Sequence, residues 1–256
     1  MMACGAISRC DDLSQSPSTF RFHAHNSAAD SENKIHDDRV APAYGFRGGL
    51  VPGVTIYGYM VPAIVARFGN DWLAHGRISV RFVAPCYEGD AVVTRCDGLT
   101  VAAEQEDGSL YASGVVSVGQ PTDRAVNTYP AYPVPEMDER PNASPETVAP
   151  GRPLGSICET LDVQVGSAIP ERLLRMANEI LTRNFRLSPW IHAASDVDHH
   201  RLAACGQRIT VTGMIQEHFE RKGRRFGVAG IAMTADDDDS GVLPVASVRH
   251  TFIYKL

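Results

Sequence analysis

At 256 residues, 44% hydrophobic and 21% charged, the chain has ordinary globular composition and room for one large domain or two small ones. A formal net charge of -6 argues against a nucleic-acid surface, which needs a basic field. No apolar run reaches the roughly 18 to 20 residues that span a bilayer, because the longest, Leu50–Ala66, is interrupted by Pro52, Gly53, Gly58 and Pro62.

In chain order, Met1–Ser18 lacks a charged start followed by a long apolar stretch, so it reads as a flexible polar arm and not as a secretory signal. The short run TFRFHAHN, Thr19–Asn26, is a strand candidate, followed by a glycine-rich loop and a helix from about Val51 to Phe68. Further strands are expected at Arg77–Val83, Asp90–Cys96, Thr100–Gln105 and Leu110–Val118, with Gly89, Asp97-Gly98 and Asp107-Gly108 as turns. Residues 119–155 are proline-rich and read as a linker. A second series follows: a strand at Ser156–Val165, then a helix introduced by Pro170, whose apolar face is Leu173, Leu174, Ala177, Ile180, Leu181 and Phe185. Strands near Ile191–Val197, Arg208–Glu220, Arg225–Thr234 and Val242–Tyr254 complete it.

The two series have one plan. Phe68 and Phe185 end the helices, and Gly89 and Gly206 open corresponding strands; both pairs are 117 apart (185 − 68 and 206 − 89). Units 19–118 and 156–256 therefore read as a pseudo-symmetric pair. Each would be an antiparallel sheet wrapped around its own apolar helix, an α+β arrangement.

The loop of the first unit carries an ordered set of residues: Ser31-Glu32-Asn33-Lys34-Ile35-His36, then Ala41, Gly45-Phe46 and Gly53. This set resembles the D-x-N-P-[LIV]-H signature of MaoC-like, R-specific enoyl-CoA hydratases, with its following alanine, Gly-Phe pair and helix glycine. The resemblance implies a double hotdog fold and reversible hydration of a 2-enoyl thioester, or dehydration of the 3-hydroxyacyl thioester. It implies acyl-CoA or acyl-carrier-protein substrates and no cofactor. Ser31 stands where the family has aspartate, Lys34 where it has proline, and Pro52 where relatives often have histidine. The second unit lacks the motif, since only Gly166–Ile169 separates its first strand from its helix, so one site per chain is expected. In double-hotdog relatives the degenerate half widens the acyl tunnel.

On this reading His36 is the proton-transfer base, near its ordinary pKa of about 6.5. Asp30 or Ser31 completes the placement of water, Asn33 orients the histidine or caps its turn, and the Gly53 N–H serves the oxyanion. Asp37 and Asp38 read as turn residues. Arg221, Lys222, Arg224 and Arg225 cluster at a turn and could contact the carrier's phosphates. His23 and His25 alternate on one strand with no third ligand evident, so no metal is expected. His199-His200 read as lying on an edge or near-edge strand. Asp236–Asp239 read as a solvated hairpin loop. Six scattered cysteines without a CxxC pair argue against a disulfide framework and suit a reducing cytoplasm. Monomer and homodimer are both compatible with two fused units. Two other readings stay open: a non-catalytic acyl-thioester-binding protein or subunit, and a related lyase or isomerase with altered chemistry. A thioesterase is disfavoured, because Leu50–Phe68 contains no Asp or Glu.

Overall fold

The computed structural model describes residues 18–119, 128–163, 166–237 and 241–256. The N-terminal arm up to residue 17, part of the linker, and Asp238 and Asp239 of the acidic loop lie outside them.

Among the described residues ten strands form one antiparallel sheet. The first half contributes β1 (Thr19–His23), β2 (Gly76–Phe82), β3 (Ala91–Asp97), β4 (Thr100–Glu104) and β5 (Leu110–Val118). The second contributes β6 (Pro153–Thr160), β7 (Ile191–His199), β8 (Arg208–Arg221), β9 (Arg224–Asp237) and β10 (Gly241–Lys255). The sheet order is β1-β3-β4-β5-β2-β7-β10-β9-β8-β6, so each half has the same internal order and β2 meets β7 at the centre. The two expected sheets are thus continuous. Joining β2 to β7 pairs two edges whose N–H and C=O groups would otherwise be exposed.

The register of that joint explains the 117-residue spacing. Ser79 lies opposite Asp196, and the Ser79 hydroxyl donates to Asp196 Oδ1 at 2.6 Å across a separation of 117. On antiparallel strands related by a local twofold axis, only the residue at the axis faces its own equivalent. The axis therefore passes between Ser79 and Asp196. The same joint makes β7 a central strand, so the reading of His199-His200 as an edge segment is corrected. His199 is buried, with its ring edge-on to Trp72 at 5.0 Å.

Helix α1 (Gly53–Phe68) lies on β1, β3, β4 and β5, and α3 (Ile169–Asn184) on β6, β8 and β10. A short α2 (Asn70–His75), which periodicity did not reveal, seats Trp72 in the core. In α3 the stripe Leu173, Leu174, Ala177, Ile180 and Leu181 is buried, each Leu or Ile contributing roughly 1.5–3 kcal/mol. Glu171 in its first turn and Arg183 in its last suit the helix dipole. The two helices meet where Gly58 faces Glu171, with no room for a Cβ. This contact between α1 and α3 ties the two halves together.

The described part of the proline-rich segment is packed, not free. Val148 is fully buried, Ser156 N–H donates to Tyr132 O at 2.7 Å, and Gly151 N–H donates to Ile215 O at 2.8 Å. Arg140 crosses from this segment to Thr182 O at 2.7 Å and to Glu32 Oε2 at 3.0 Å. It thereby links the end of α3 to the motif loop. At Gly155 a Cβ would overlap the Val134 backbone. Gly155→Ala is expected to destabilise the protein by about 1–3 kcal/mol, the usual effect of overpacking. Thermal unfolding beside wild type measures this, and an unchanged midpoint would mean the strap does not contribute to stability.

Candidate active site

The loop between β1 and α1 holds the motif in a short 3₁₀ turn, Lys34–His36, capped by Asn33. Its geometry is fixed from several sides. Leu50 N–H donates to Ile35 O at 3.0 Å, Asn26 Nδ2 to His36 O at 2.9 Å, and Gly49 N–H to Asp38 Oδ1 at 2.8 Å. Gly49 runs so close to the His36 carbonyl that a Cβ would overlap it. Ile35 and Ala41 are buried beneath the loop.

His36 Nδ1 lies 2.6 Å from Leu50 O. A carbonyl only accepts, so Nδ1 carries the ring proton and Nε2 carries the lone pair. Asn33 Nδ2 lies 3.2 Å from that Nε2 and also donates to Trp190 O at 3.0 Å, while Asn33 Oδ1 accepts from Trp190 N–H at 3.1 Å. The two Trp190 bonds fix which end of the amide is nitrogen. Asn33 therefore caps its turn, touches the histidine and joins the two halves at once. Burial pushes the His36 pKa below 6.5; the Leu50 hydrogen bond opposes that shift, and the Arg175 charge adds to it.

His36 and Asn33 line a cavity of about 300 Å³, at the small end of ligand-sized cavities. Ile56, Phe82, Tyr111, Trp190 and Ile253 make much of its apolar wall. Gly53 lines it at the start of α1. Thr55 and Ile56 N–H groups are already given to Pro52 O, so Gly53 presents the first N–H at the positive end of the helix dipole. Among the described lining residues there is no Asp or Glu.

Ile35, Phe46 and Pro52 of the motif also line this wall, and of the remaining candidates only Arg224 reaches it. Asp30 is exposed and makes no side-chain hydrogen bond or ion pair among the described residues. Ser31 is half-buried, its hydroxyl donating to Asn33 O at 3.4 Å. Asp37 Oδ1 accepts from Arg39 N–H at 2.8 Å, the work of a turn residue. Of the basic cluster, Arg224 is exposed and lines the cavity, which places it at the opening. Arg225 pairs with Glu220 at 3.5 Å, Arg221 lines a groove that includes Asp196 and Glu217, and Lys222 sits at the hairpin tip. No group of three or more metal-ligating side chains occurs among the described residues. Among the same residues no helix is long and apolar enough to cross a membrane.

Sequence reasoning missed His192, Asn178 and Trp190, which come to this cavity from the second half. Asn178 Oδ1, Trp190 Nε1 and His192 Nδ1 are all buried without a hydrogen-bond partner among the described residues. Such atoms each cost about 1–3 kcal/mol unless something meets them.

No protein-family model matches this sequence, and comparison with curated proteins finds no relative. Solved structures do match. A conserved protein of Mycobacterium tuberculosis, described as a double hotdog, aligns over 93% of this chain and 96% of its own with TM-score 0.58 at 13% identity. The chain is a double hotdog. A protein assigned as a MaoC-domain dehydratase from Chloroflexus aurantiacus aligns over 94% of this chain and 95% of its own, with TM-score 0.56 at 12% identity. An acyl-CoA thioesterase II from Mycobacterium marinum aligns over 81% and 90%, with TM-score 0.52 at 12% identity. Solved structures similar to this chain thus carry at least two names, and the fold alone does not choose between them.

Proposed function

We propose that this double hotdog is an acyl-thioester hydro-lyase, adding water across a 2-enoyl thioester or removing it from the 3-hydroxyacyl thioester. The observation that carries this reading is the state of His36 beside a ligand-sized cavity that also holds the start of α1: Nδ1–H is spent on Leu50 O, and the Nε2 lone pair is met by the long 3.2 Å contact from Asn33 Nδ2, which the reacting water displaces. In hydration, Nε2 takes a proton from water while the water oxygen bonds to C3. Electrons move to the thioester oxygen, which meets the Gly53 N–H. The imidazolium then returns the proton to C2, so the imidazole ends as it began. Asn33 holds the ring and the water's neighbourhood. Asp30 and Ser31 lie off the cavity wall, which supports giving both proton transfers to one histidine.

The carboxylate-free wall also supports the second reading, a thioester-binding protein without turnover. A panel of enoyl-CoAs separates the two. Loss of the conjugated thioester absorbance is expected; its absence, with the same ligands still protecting the protein against heat, would establish the binding protein instead.

Coenzyme A or a phosphopantetheine carrier fits the opening because Arg224 is exposed there. Arg224→Glu is expected to raise KM for enoyl-CoA about fivefold, the ~1 kcal/mol of an exposed ion pair, at unchanged kcat. A truncated thioester without phosphates should show no such change. Equal effects on both substrates would remove Arg224 from carrier recognition.

A further inference from the structure

On β7 the buried residues Ser195, Val197 and His199 alternate regularly and face the helices. Strict alternation would turn His192 to the opposite face. It does not, because the β7–β10 ladder slips: Thr251 pairs with Ala194 and Phe252 with His192, leaving Ala193 as an extra residue. This β-bulge reverses the parity and turns His192 inward, the re-aiming that bulges provide near functional sites.

Turned inward, His192 lines the same cavity as His36. It packs beside Gly53, where an added Cβ would lie 3.3 Å from His192 Nδ1 and 3.2 Å from Phe82. The Phe82 ring covers it at 4.5 Å. Nδ1 is buried without a hydrogen-bond partner among the described residues, while Nε2 lies 2.8 Å from Ser195 Oγ. Ser195 Oγ in turn lies 3.0 Å from His250 Nδ1, and the His250 ring is 4.1 Å from that of His192.

The Ser195 hydroxyl has one proton and an imidazole nitrogen on either side. When it donates to His192 Nε2, His250 Nδ1–H donates to Ser195 Oγ, and the single proton of neutral His192 resides on Nδ1, beside Gly53. We propose that His192 is a catalytic residue of this site, its Nδ1–H donating to the thioester carbonyl oxygen together with the Gly53 N–H, with Ser195 and His250 as positioning residues that hold its tautomer. The proposal rests on the thioester reading of the cavity but not on which reaction follows. Burial keeps both rings neutral, reinforced at His192 by the charge His250 would carry and opposed there only by a lesser backbone hydrogen bond to Ala194, so the donor is an imidazole and not an imidazolium. A neutral N–H fixed in a dry wall stabilises a developing oxyanion without reorganising.

The test uses the full chain and hexadienoyl-CoA, whose conjugated thioester absorption moves to longer wavelength when its carbonyl is polarised. Wild type is expected to show that shift on binding. His192→Asn keeps a donor near the Nδ1 position, whereas His192→Leu has nearly the same shape and none. The asparagine variant should retain most of the shift and stay within roughly tenfold of wild-type kcat for an enoyl-CoA substrate. The leucine variant should lose the shift, with kcat down about 10²- to 10³-fold and KM little changed. Ser195→Ala, which removes the tautomer-setting hydroxyl, should weaken the shift while thermal unfolding and binding show a folded, ligand-competent protein. Equal loss in the asparagine and leucine variants, equal retention in both, or a bound wild-type ligand with no shift would each overturn the proposal. A clear shift without hydration would leave His192 in place and overturn the hydro-lyase reading. Failure of wild type to bind the thioester would overturn both.

Discussion

Replacing His36 by alanine is expected to lower the hydration rate by about 10²- to 10⁴-fold, the range supplied by a positioned general base. The fold should survive, because the loop is held through backbone atoms: Asn26 and Gly49 contact the His36 carbonyl, and Leu50 N–H bonds Ile35 O. The ring takes with it the Leu50 O contact and the 3.2 Å contact to Asn33 Nδ2, whose amide keeps both Trp190 bonds. Added imidazole should return part of the rate. The pH profile provides an independent check. His36 works as the neutral ring, and burial lowers its pKa from 6.5. The rate should therefore fall as pH drops through a midpoint below 6.5 and stay flat above it. Turnover unaffected by His36→Ala, or an acid limb centred above 6.5, would remove His36 from the base role.

The Asn33 side chain is a small cross-link between the halves, and its loss should show in stability. Asn33→Ala strips partners from both the Trp190 N–H and the Trp190 C=O in a buried setting. Each orphaned group costs about 1–3 kcal/mol, so a loss of roughly 2–6 kcal/mol is expected in urea unfolding. Asn33→Asp separates this structural task from the chemical one. An aspartate can still accept from Trp190 N–H but cannot donate to Trp190 O. Its charge beside Nε2 would favour the imidazolium, moving the acid limb of the rate profile upward from its wild-type position. A stability within 0.5 kcal/mol of wild type for Asn33→Ala, an order-of-magnitude threshold for surface substitutions, would show that the contact between the halves does not depend on this amide.

Much of the architecture was legible because it is written in local periods and punctuation. The buried stripe of α3 has helical spacing, and the β3–β4 and β4–β5 turns fall at Gly98 and Gly108, both with positive φ. Even the 117-residue spacing had a direct structural meaning, the Ser79–Asp196 pair at the joint. The edge reading of β7 failed for a definite reason. Nothing in one strand's sequence says whether its outer edge will meet another half, and it was β2 that covered it. The short helix α2 escaped because six residues hold too few turns for a periodic signal.

The motif is local as well. The order Asn33, Ile35, His36, Ala41, Gly45-Phe46, Gly53 is carried by one loop, so the sequence by itself could nominate His36 and Asn33 and note Ser31 as an unusual first letter. What the tertiary structure decided is what meets them. Asn33 closes on Trp190 across 157 residues, and Asp30 and Ser31 are left outside the wall. Arg224 alone of its cluster reaches the cavity, and His192 is turned into it by one unpaired residue, Ala193. Side-chain period and capping are properties of neighbours along the chain and can be read there. Register slips, pseudo-twofold pairing and cavity walls depend on contacts between distant segments, and these exist only once both halves have closed on each other.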